Sequence, residues 1–193
     1  MRWRKFSTRP KNNRDIRPFV RHYQGEVMYR TVEDFLLDWE NESSATMKIL
    51  HSLTNGSLNQ KVTPEGRSLG FLAWHLVLTL SEMGSKMGLQ LTAPAEDSEP
   101  PVVAGEIAST YDISSKSLLE AVRRSWTDRS LNDEIDMYGE MWKRGGALSA
   151  LVLHQTHHRA QMTVLMRQAG LKVPGVYGPS REEWIQMGMP AQK

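Results

Sequence analysis

The chain contains no cysteine among its 193 residues. Disulfide bridges, thiolate metal ligands and a cysteine nucleophile are therefore excluded, and any metal ion must be held by nitrogen or oxygen atoms. No stretch approaches the roughly 18 consecutive apolar residues of a membrane-spanning helix. The arginine-rich beginning also lacks the apolar stretch of a secretory signal. We therefore expect a cytoplasmic protein that does not enter a membrane.

Positive charge is concentrated at the beginning of the chain. Residues 1–27 hold eight arginine and lysine residues against two acidic ones, whereas the remainder holds 16 basic and 20 acidic residues. This segment has no sustained apolar periodicity, so we interpret it as a basic extension that precedes a domain at residues 28–193. Because no nucleic-acid-binding fold follows the extension, we expect a solvated or docked appendage that is dispensable for folding.

Four stretches of the domain repeat apolar residues at spacings of three and four, which is typical of amphipathic helices. Thr31 and Ser68 are the predicted N-caps of the first two helices, Ile107 is the first residue on the apolar stripe of the third, and the fourth begins at Gly145-Gly146. A loop rich in proline and acidic residues, 91–105, separates the second and third helices. No persuasive alternation of period two occurs, so the sequence predicts an all-α, up-and-down-like four-helix bundle with a short final helix from about Ser180.

The fourth helix carries two histidines one turn apart. His154 and His158 share a stripe with Leu151, Gln161 and Leu165, so their imidazoles are predicted to face the interior of the bundle. Burial of an imidazole is unfavourable unless both ring nitrogens have partners, whereas a divalent metal ion accepts nitrogens from an i, i+4 pair without strain. The pair therefore indicates a metal site. Two hydrogen-bonded core histidines, or histidines that line a polar groove, fit the spacing as well.

A third imidazole is available from the second helix. His75 lies beside the apolar seam of that helix, and helices two and four can be neighbours in a bundle. Three histidines around one ion leave a coordination position open, as in catalytic rather than structural sites. We therefore predict that His75, His154 and His158 bind one metal ion. His157 is turned away from this face and is expected to support the ligands or to lie on the surface.

The residues around these histidines resemble a known family. The segments WHL around His75, HQTHHRAQ from His154 to Gln161, and the following LMRQAGLKVPGVYGP are similar to the DinB/YfiT-like superfamily of bacterial four-helix-bundle metalloproteins. The likeness covers about residues 28–184. In that superfamily one histidine of the second helix and an HxxxH pair of the last long helix hold a divalent ion, commonly zinc or nickel. Ala160 replaces the usual glycine after HHR, which leaves the ligand assignment intact.

The resemblance also implies a chemistry. Characterised members are thiol-dependent transferases or isomerases that use low-molecular-weight bacterial thiols such as bacillithiol or mycothiol, and others are described as metal-dependent hydrolases. A bound ion lowers the pKa of a thiol or of water and so creates a nucleophile near neutral pH. The resemblance thus implies a homodimeric, metal-dependent thiol S-transferase or hydrolase that acts on a small electrophilic substrate.

Three further residues are candidates for catalysis. Glu82 lies two turns after the histidine of the second helix, Arg159 flanks the histidine pair together with Gln161, and Tyr177 lies in the VYGP segment. Each also has an ordinary explanation. Glu82 fits a carboxylate paired with a basic residue, Arg159 a packing or interface residue, and Tyr177 a residue that packs the tail.

Common catalytic signatures do not decide between functions. The sequence has no Ser-His-Asp ordering, phosphate-binding glycine loop, HExxH motif or dinucleotide fingerprint. A non-catalytic, metal-binding stress-response bundle is therefore an alternative to the enzyme, and it predicts an ion that substrates cannot reach. A nucleic-acid-associated protein acting through residues 1–27 is the third hypothesis, and it predicts steeply salt-dependent binding.

Overall fold

The structure, a computed structural model, describes residues 29–190, so the predicted basic extension at residues 1–27 lies outside the described residues. The described chain forms four long helices and one short helix. They are α1 (Val32–His51), α2 (Leu69–Lys86), α3 (Ala104–Ser125), α4 (Arg144–Gln168) and α5 (Arg181–Gln186). The predicted four-helix bundle is confirmed.

The helix ends match the capping signals of the sequence. The Thr31 hydroxyl accepts a hydrogen bond from the backbone N–H of Asp34, and the Asp34 carboxylate accepts one from the N–H of Thr31. Ser68 and Ser180 cap α2 and α5 in the predicted places. Helix α4 ends at Gln168, and Gly170, two residues later, has a φ of +74°, the left-handed conformation that favours glycine.

Packing of the helices explains the long loop between α2 and α3. Helix α1 packs against α3 and α4, and α2 packs against the same two helices. Both α2 and α3 begin beside a 3₁₀ turn at Asn55–Asn59. Gly70 lies so close to Leu58 that a Cβ there would be 3.1 Å from its carbonyl oxygen, and the Asn55 side chain accepts a hydrogen bond from the N–H of Ala104. Since α2 and α3 therefore run in the same direction, the chain must return along the bundle between them.

A small hairpin precedes α4, in a segment where the sequence shows no persuasive alternation of period two. Strands β1 (Glu134–Met137) and β2 (Glu140–Lys143) pair in antiparallel fashion. Tyr138 and Gly139 connect them with φ values of +62° and +85°, as in the type I′ turns that close two-residue hairpins. Four-residue strands are too short for their alternation to stand out from a polar loop. The sequence therefore does not predict this hairpin, and a two-stranded hairpin beside four long helices leaves the predicted bundle intact.

The core is built by apolar side chains from all four long helices. Fully buried examples are Trp39, Leu76, Leu118 and Leu151. None of the described helices is both long and apolar enough to span a bilayer.

Candidate metal centre

A buried glutamine fixes the register of the two helices that carry the histidines. The Gln155 side chain donates a hydrogen bond of 3.0 Å to the backbone carbonyl of Leu76, and it accepts one of 3.2 Å from the Tyr111 hydroxyl. Gln155 follows His154 in α4, and Leu76 follows His75 in α2. This bond therefore holds the two histidines opposite each other.

Three imidazoles converge at this point. The Nε2 atom of His154 lies 3.2 Å from the Nε2 of His75 and 3.2 Å from the Nε2 of His158. His158 is buried, whereas His75 and His154 are only half-buried, so one side of the cluster reaches solvent. The structure thus brings together the three residues that the sequence proposes as ligands. It leaves His157 exposed on the outer side of α4.

Hydrogen bonds cannot satisfy this arrangement. An imidazole nitrogen has a single position in the ring plane, occupied by either a proton or a lone pair, so the Nε2 of His154 can pair with only one of its two close neighbours. Its Nδ1 is also buried without a hydrogen-bond partner among the described residues. A cation, in contrast, accepts all three lone pairs at once. Ligands at tetrahedral angles around an ion such as zinc lie about 3.3–3.4 Å apart, close to the observed spacing. The residues present fit a divalent metal ion.

A hydrogen bond to Gln161 orients His158 and fixes which of its ring nitrogens carries the proton. The Nδ1 of His158 lies 2.8 Å from the Oε1 of Gln161, whose amide nitrogen lies 3.0 Å from the Nε2 of His157. Because an amide oxygen only accepts, the Nδ1 of His158 must carry the proton and its Nε2 the free lone pair. Gln161 is exposed rather than inward-facing, and it orients the ligand from outside.

The cluster also favours neutral rings. Burial, together with the neighbouring His158 and Arg67, lowers the pKa of His75 to about 4. Burial and the neighbouring histidines lower the pKa of His154 to about 3, and burial lowers that of His158. Near neutral pH all three rings are therefore unprotonated, which is the form that binds metal.

The other catalytic candidates lie outside the histidine cluster. The carboxylate of Glu82 interacts with the hydroxyl of Tyr138. Burial and the negative charge of Glu82 raise the pKa of Tyr138 to about 12. Arg159 is buried, and it donates hydrogen bonds to the carboxylate of Glu42 and to the Tyr177 hydroxyl. The Tyr177 hydroxyl also donates to Glu42 at 2.8 Å. Arg159 and Tyr177 therefore join α4, α1 and the C-terminal segment.

Sequence reasoning missed the polar residues at the centre of α4. Gln155 and Arg159 are 0% and 2% exposed, so the helix faces the core about one residue away from the predicted stripe. Helix α4 packs against both α1 and α2, and each buried polar side chain has its partner on another helix. A signal exists in the spacing of Leu148, Leu151, Gln155, Arg159 and Met162 at three, four, four and three residues. The two polar residues on that stripe conceal it.

The fold and the cluster define a class: four-helix-bundle proteins with a candidate metal centre formed by three histidines between two of the helices. The sequence profile of the DinB family matches residues 28–189. The chain belongs to the DinB family. The resemblance drawn from the histidine segments is thus confirmed.

Known proteins similar to the chain lead to the same family. YrdA of Bacillus subtilis (strain 168), described as an uncharacterized protein, is 45% identical over 166 residues, which is 86% of this chain and 99% of YrdA. A DinB-like protein from Bacillus cereus ATCC 10987 has a crystal structure that superposes with a TM-score of 0.75 at 42% identity, covering 78% of this chain and 100% of that one. The DinB-like protein YjoA from Bacillus subtilis has a TM-score of 0.58 at 16% identity, over 71% of this chain and 92% of YjoA, and supports the fold alone.

Proposed function

We propose that the chain is a metal-dependent transferase or hydrolase in which His75, His154 and His158 hold one divalent ion, zinc or nickel. The observation that carries this proposal is the convergence of three imidazoles, in which the Nε2 atoms of His75 and His158 each lie 3.2 Å from the Nε2 of His154, an arrangement that hydrogen bonds cannot satisfy. When bound, the ion supplies the Lewis acidity that lowers the pKa of a thiol or of water. The protein holds three neutral ligands in place and leaves one side of the site open.

The half-buried state of the cluster favours an enzyme over a closed, non-catalytic metal site. His75 and His154 reach solvent, and the ring of Phe71, 43% exposed, stacks on His75 at 6.0 Å. A substrate can therefore approach the open coordination position along an apolar surface. A low-molecular-weight thiol and a small electrophile are the substrates we propose.

Three finer proposals accompany this function. We infer a cytoplasmic homodimer, and the exposed apolar residues Leu153 and Val164 of α4 offer a surface for a second copy. Sedimentation at micromolar concentration should give a dimer, and a monomer would contradict this.

We also propose that a chain beginning at Met28 folds and retains metal, since residues 1–27 are not needed to complete the four apolar stripes.

Metal content tests directly whether the three histidines bind an ion. Protein purified without a metal-affinity tag should contain close to one divalent ion per chain by elemental analysis. Alanine replacement of His75, His154 or His158 should sharply reduce that content, whereas His157→Ala is the matched control and should not. Equal loss in His157→Ala, or full retention in His75→Ala, would show that the ligand set is wrong. A thiol-conjugation screen on the loaded protein then tests for catalysis, and an ion that no thiol can reach would favour the non-catalytic alternative.

A further inference from the structure

A stack of side chains leads from the surface to the histidine cluster. Arg67 lies two residues before α2, and Phe71 and His75 follow it within the helix at successive spacings of four residues. The guanidinium carbon of Arg67 is 5.2 Å from the centre of the Phe71 ring, and that ring lies 6.0 Å from the His75 imidazole, with 15° between their planes. The stack therefore places a permanent positive charge at the edge of the candidate site.

The charge of Arg67 is not neutralised by the protein. Arg67 is exposed, and no salt bridge includes it within residues 29–190. Its contact with the face of Phe71 holds the guanidinium near the site while its N–H groups stay free to donate to a ligand. Arginine is well suited to this because its planar guanidinium binds carboxylate or phosphate through two parallel hydrogen bonds.

Electrostatics of the cluster point to the same kind of ligand. In the described part of the chain the ring nitrogens of the cluster meet one another and the amide oxygen of Gln161, and no carboxylate forms a hydrogen bond with them. Three neutral imidazoles leave the full charge of a divalent ion uncompensated, and Arg67 adds to it. The open side of the site is therefore strongly positive and attracts anions.

We propose that Arg67 binds the carboxylate or phosphate of an anionic thiol whose sulfur occupies the open side of the histidine cluster. Phe71 contacts the apolar part of the same molecule, since its ring is 43% exposed between the two positions. This inference rests on the proposed metal site, and it names the class of thiol that the site accepts. Arg67 is a specificity-determining residue in this arrangement.

Two thiols of equal length test the inference. 6-Mercaptohexanoate carries a carboxylate, whereas 6-mercaptohexanol is neutral, and both have the same six-carbon chain between sulfur and the terminal group. In protein loaded with Co²⁺, sulfur coordination gives a charge-transfer absorption, and the absence of cysteine ensures that this signal comes only from the added thiol. Titration of each thiol at fixed pH then yields its dissociation constant.

The native chain should bind the acid about two- to fivefold more tightly than the alcohol, with a preference that shrinks as salt is added. Arg67→Gln should abolish the preference by weakening only the acid, whereas Arg67→Lys should retain part of it. Arg124→Gln is the matched control and should behave like the native chain. It removes an exposed arginine from the last turn of α3, whereas Arg67 lies beside the start of α2. An unchanged preference in Arg67→Gln, or no preference in the native chain, overturns the role of Arg67 alone. Failure of every protein to bind cobalt overturns the proposed metal site and this inference with it.

Discussion

The side-chain amide of Gln155 donates a hydrogen bond of 3.0 Å to the backbone carbonyl of Leu76, and each of these residues directly follows a histidine of the cluster. The bond lies in the fully buried interior of the bundle, where it also involves the Tyr111 hydroxyl. An arrangement of three nitrogens within a few ångströms requires that α2 and α4 keep one register. Gln155 therefore positions the candidate ligands without belonging to them.

Replacing Gln155 by leucine should weaken both the fold and the site. The change leaves the buried Tyr111 hydroxyl without its acceptor, so we expect a loss of about 1–3 kcal/mol in the free energy of unfolding. Metal affinity should fall as well, because the register of α2 and α4 is no longer fixed. Gln168→Leu, at the exposed end of α4, is the matched control. Denaturant unfolding and metal titration check both effects, and similar results for the two variants would contradict the role given to Gln155.

Gln161 should affect metal binding without affecting stability. Its Oε1 accepts from the Nδ1 of His158, so Gln161→Met removes the group that fixes the tautomer of this ligand. We expect metal affinity to fall by about 10- to 100-fold, as for other residues that support a metal-binding histidine. Gln161 is exposed, and the melting temperature of the metal-free protein should stay nearly constant.

Gln161→Glu provides the control for that change because it keeps the acceptor oxygen. This variant should retain metal affinity at neutral pH. If Gln161→Met and Gln161→Glu lose affinity equally, the hydrogen bond to His158 is not the cause.

The ion pair between Arg159 and Glu42 should prove structural rather than catalytic. The two side chains are 2% and 9% exposed, and Arg159→Met would leave the Glu42 charge buried without its cation. We expect a loss of about 3–5 kcal/mol in the free energy of unfolding. Adding Glu42→Leu to Arg159→Met should recover much of this loss, because no uncompensated charge then remains. Denaturant unfolding of the single and double variants measures the coupling.

An exposed pair serves as the comparison for Arg159. Lys116 and Asp112 form an i, i+4 salt bridge on the surface of α3 with side chains 73% and 37% exposed. Lys116→Met should cost no more than about 0.5 kcal/mol. If Arg159→Met is equally mild, or if metal content falls while stability does not, the structural role is wrong.

Local patterns made the histidines and the helices predictable. His154 and His158 are one turn apart, so their shared direction follows from helix geometry alone. Thr31 and Ser68 are residue types that favour the N-cap position, and they predict the starts of α1 and α2. The third histidine, His75, is 79 residues away from His154, and the sequence connects the two only through the expectation that helices two and four are neighbours in a bundle and through the family likeness.

The remaining features could not be predicted because they depend on contacts between residues that are distant in the sequence. Glu42 resembles an ordinary surface acid in α1, because its buried partner Arg159 lies 117 residues further along the chain. The same limit applies to Gln155, whose acceptor lies on α2, and to Arg67, which precedes α2 as an unremarkable loop residue. Periodicity reports which face of a helix is apolar, but it does not report which buried polar group meets which partner.

The metal-free protein should lose stability as the pH is lowered below the ordinary histidine range. In the unfolded chain His75 and His154 titrate near their usual pKa of about 6.5, whereas in the folded protein burial lowers these values to about 4 and about 3. Between those limits the unfolded state binds protons that the folded state does not, so the free energy of unfolding must fall as the pH falls from about 6.5 towards 4. Denaturant unfolding across this range measures the slope.

His75→Phe should reduce the slope, since it removes one of the groups whose pKa is lowered by folding. The metal affinity of the folded protein has a related dependence. Ligation requires neutral rings, and because burial lowers the pKa of all three histidines in the folded protein, the affinity should persist below the range near 6.5 that free histidine predicts before it declines. A loss of affinity centred near pH 6.5, together with a flat stability curve, would show that the three rings do not lie in the buried, mutually repelling arrangement that lowers their pKa values.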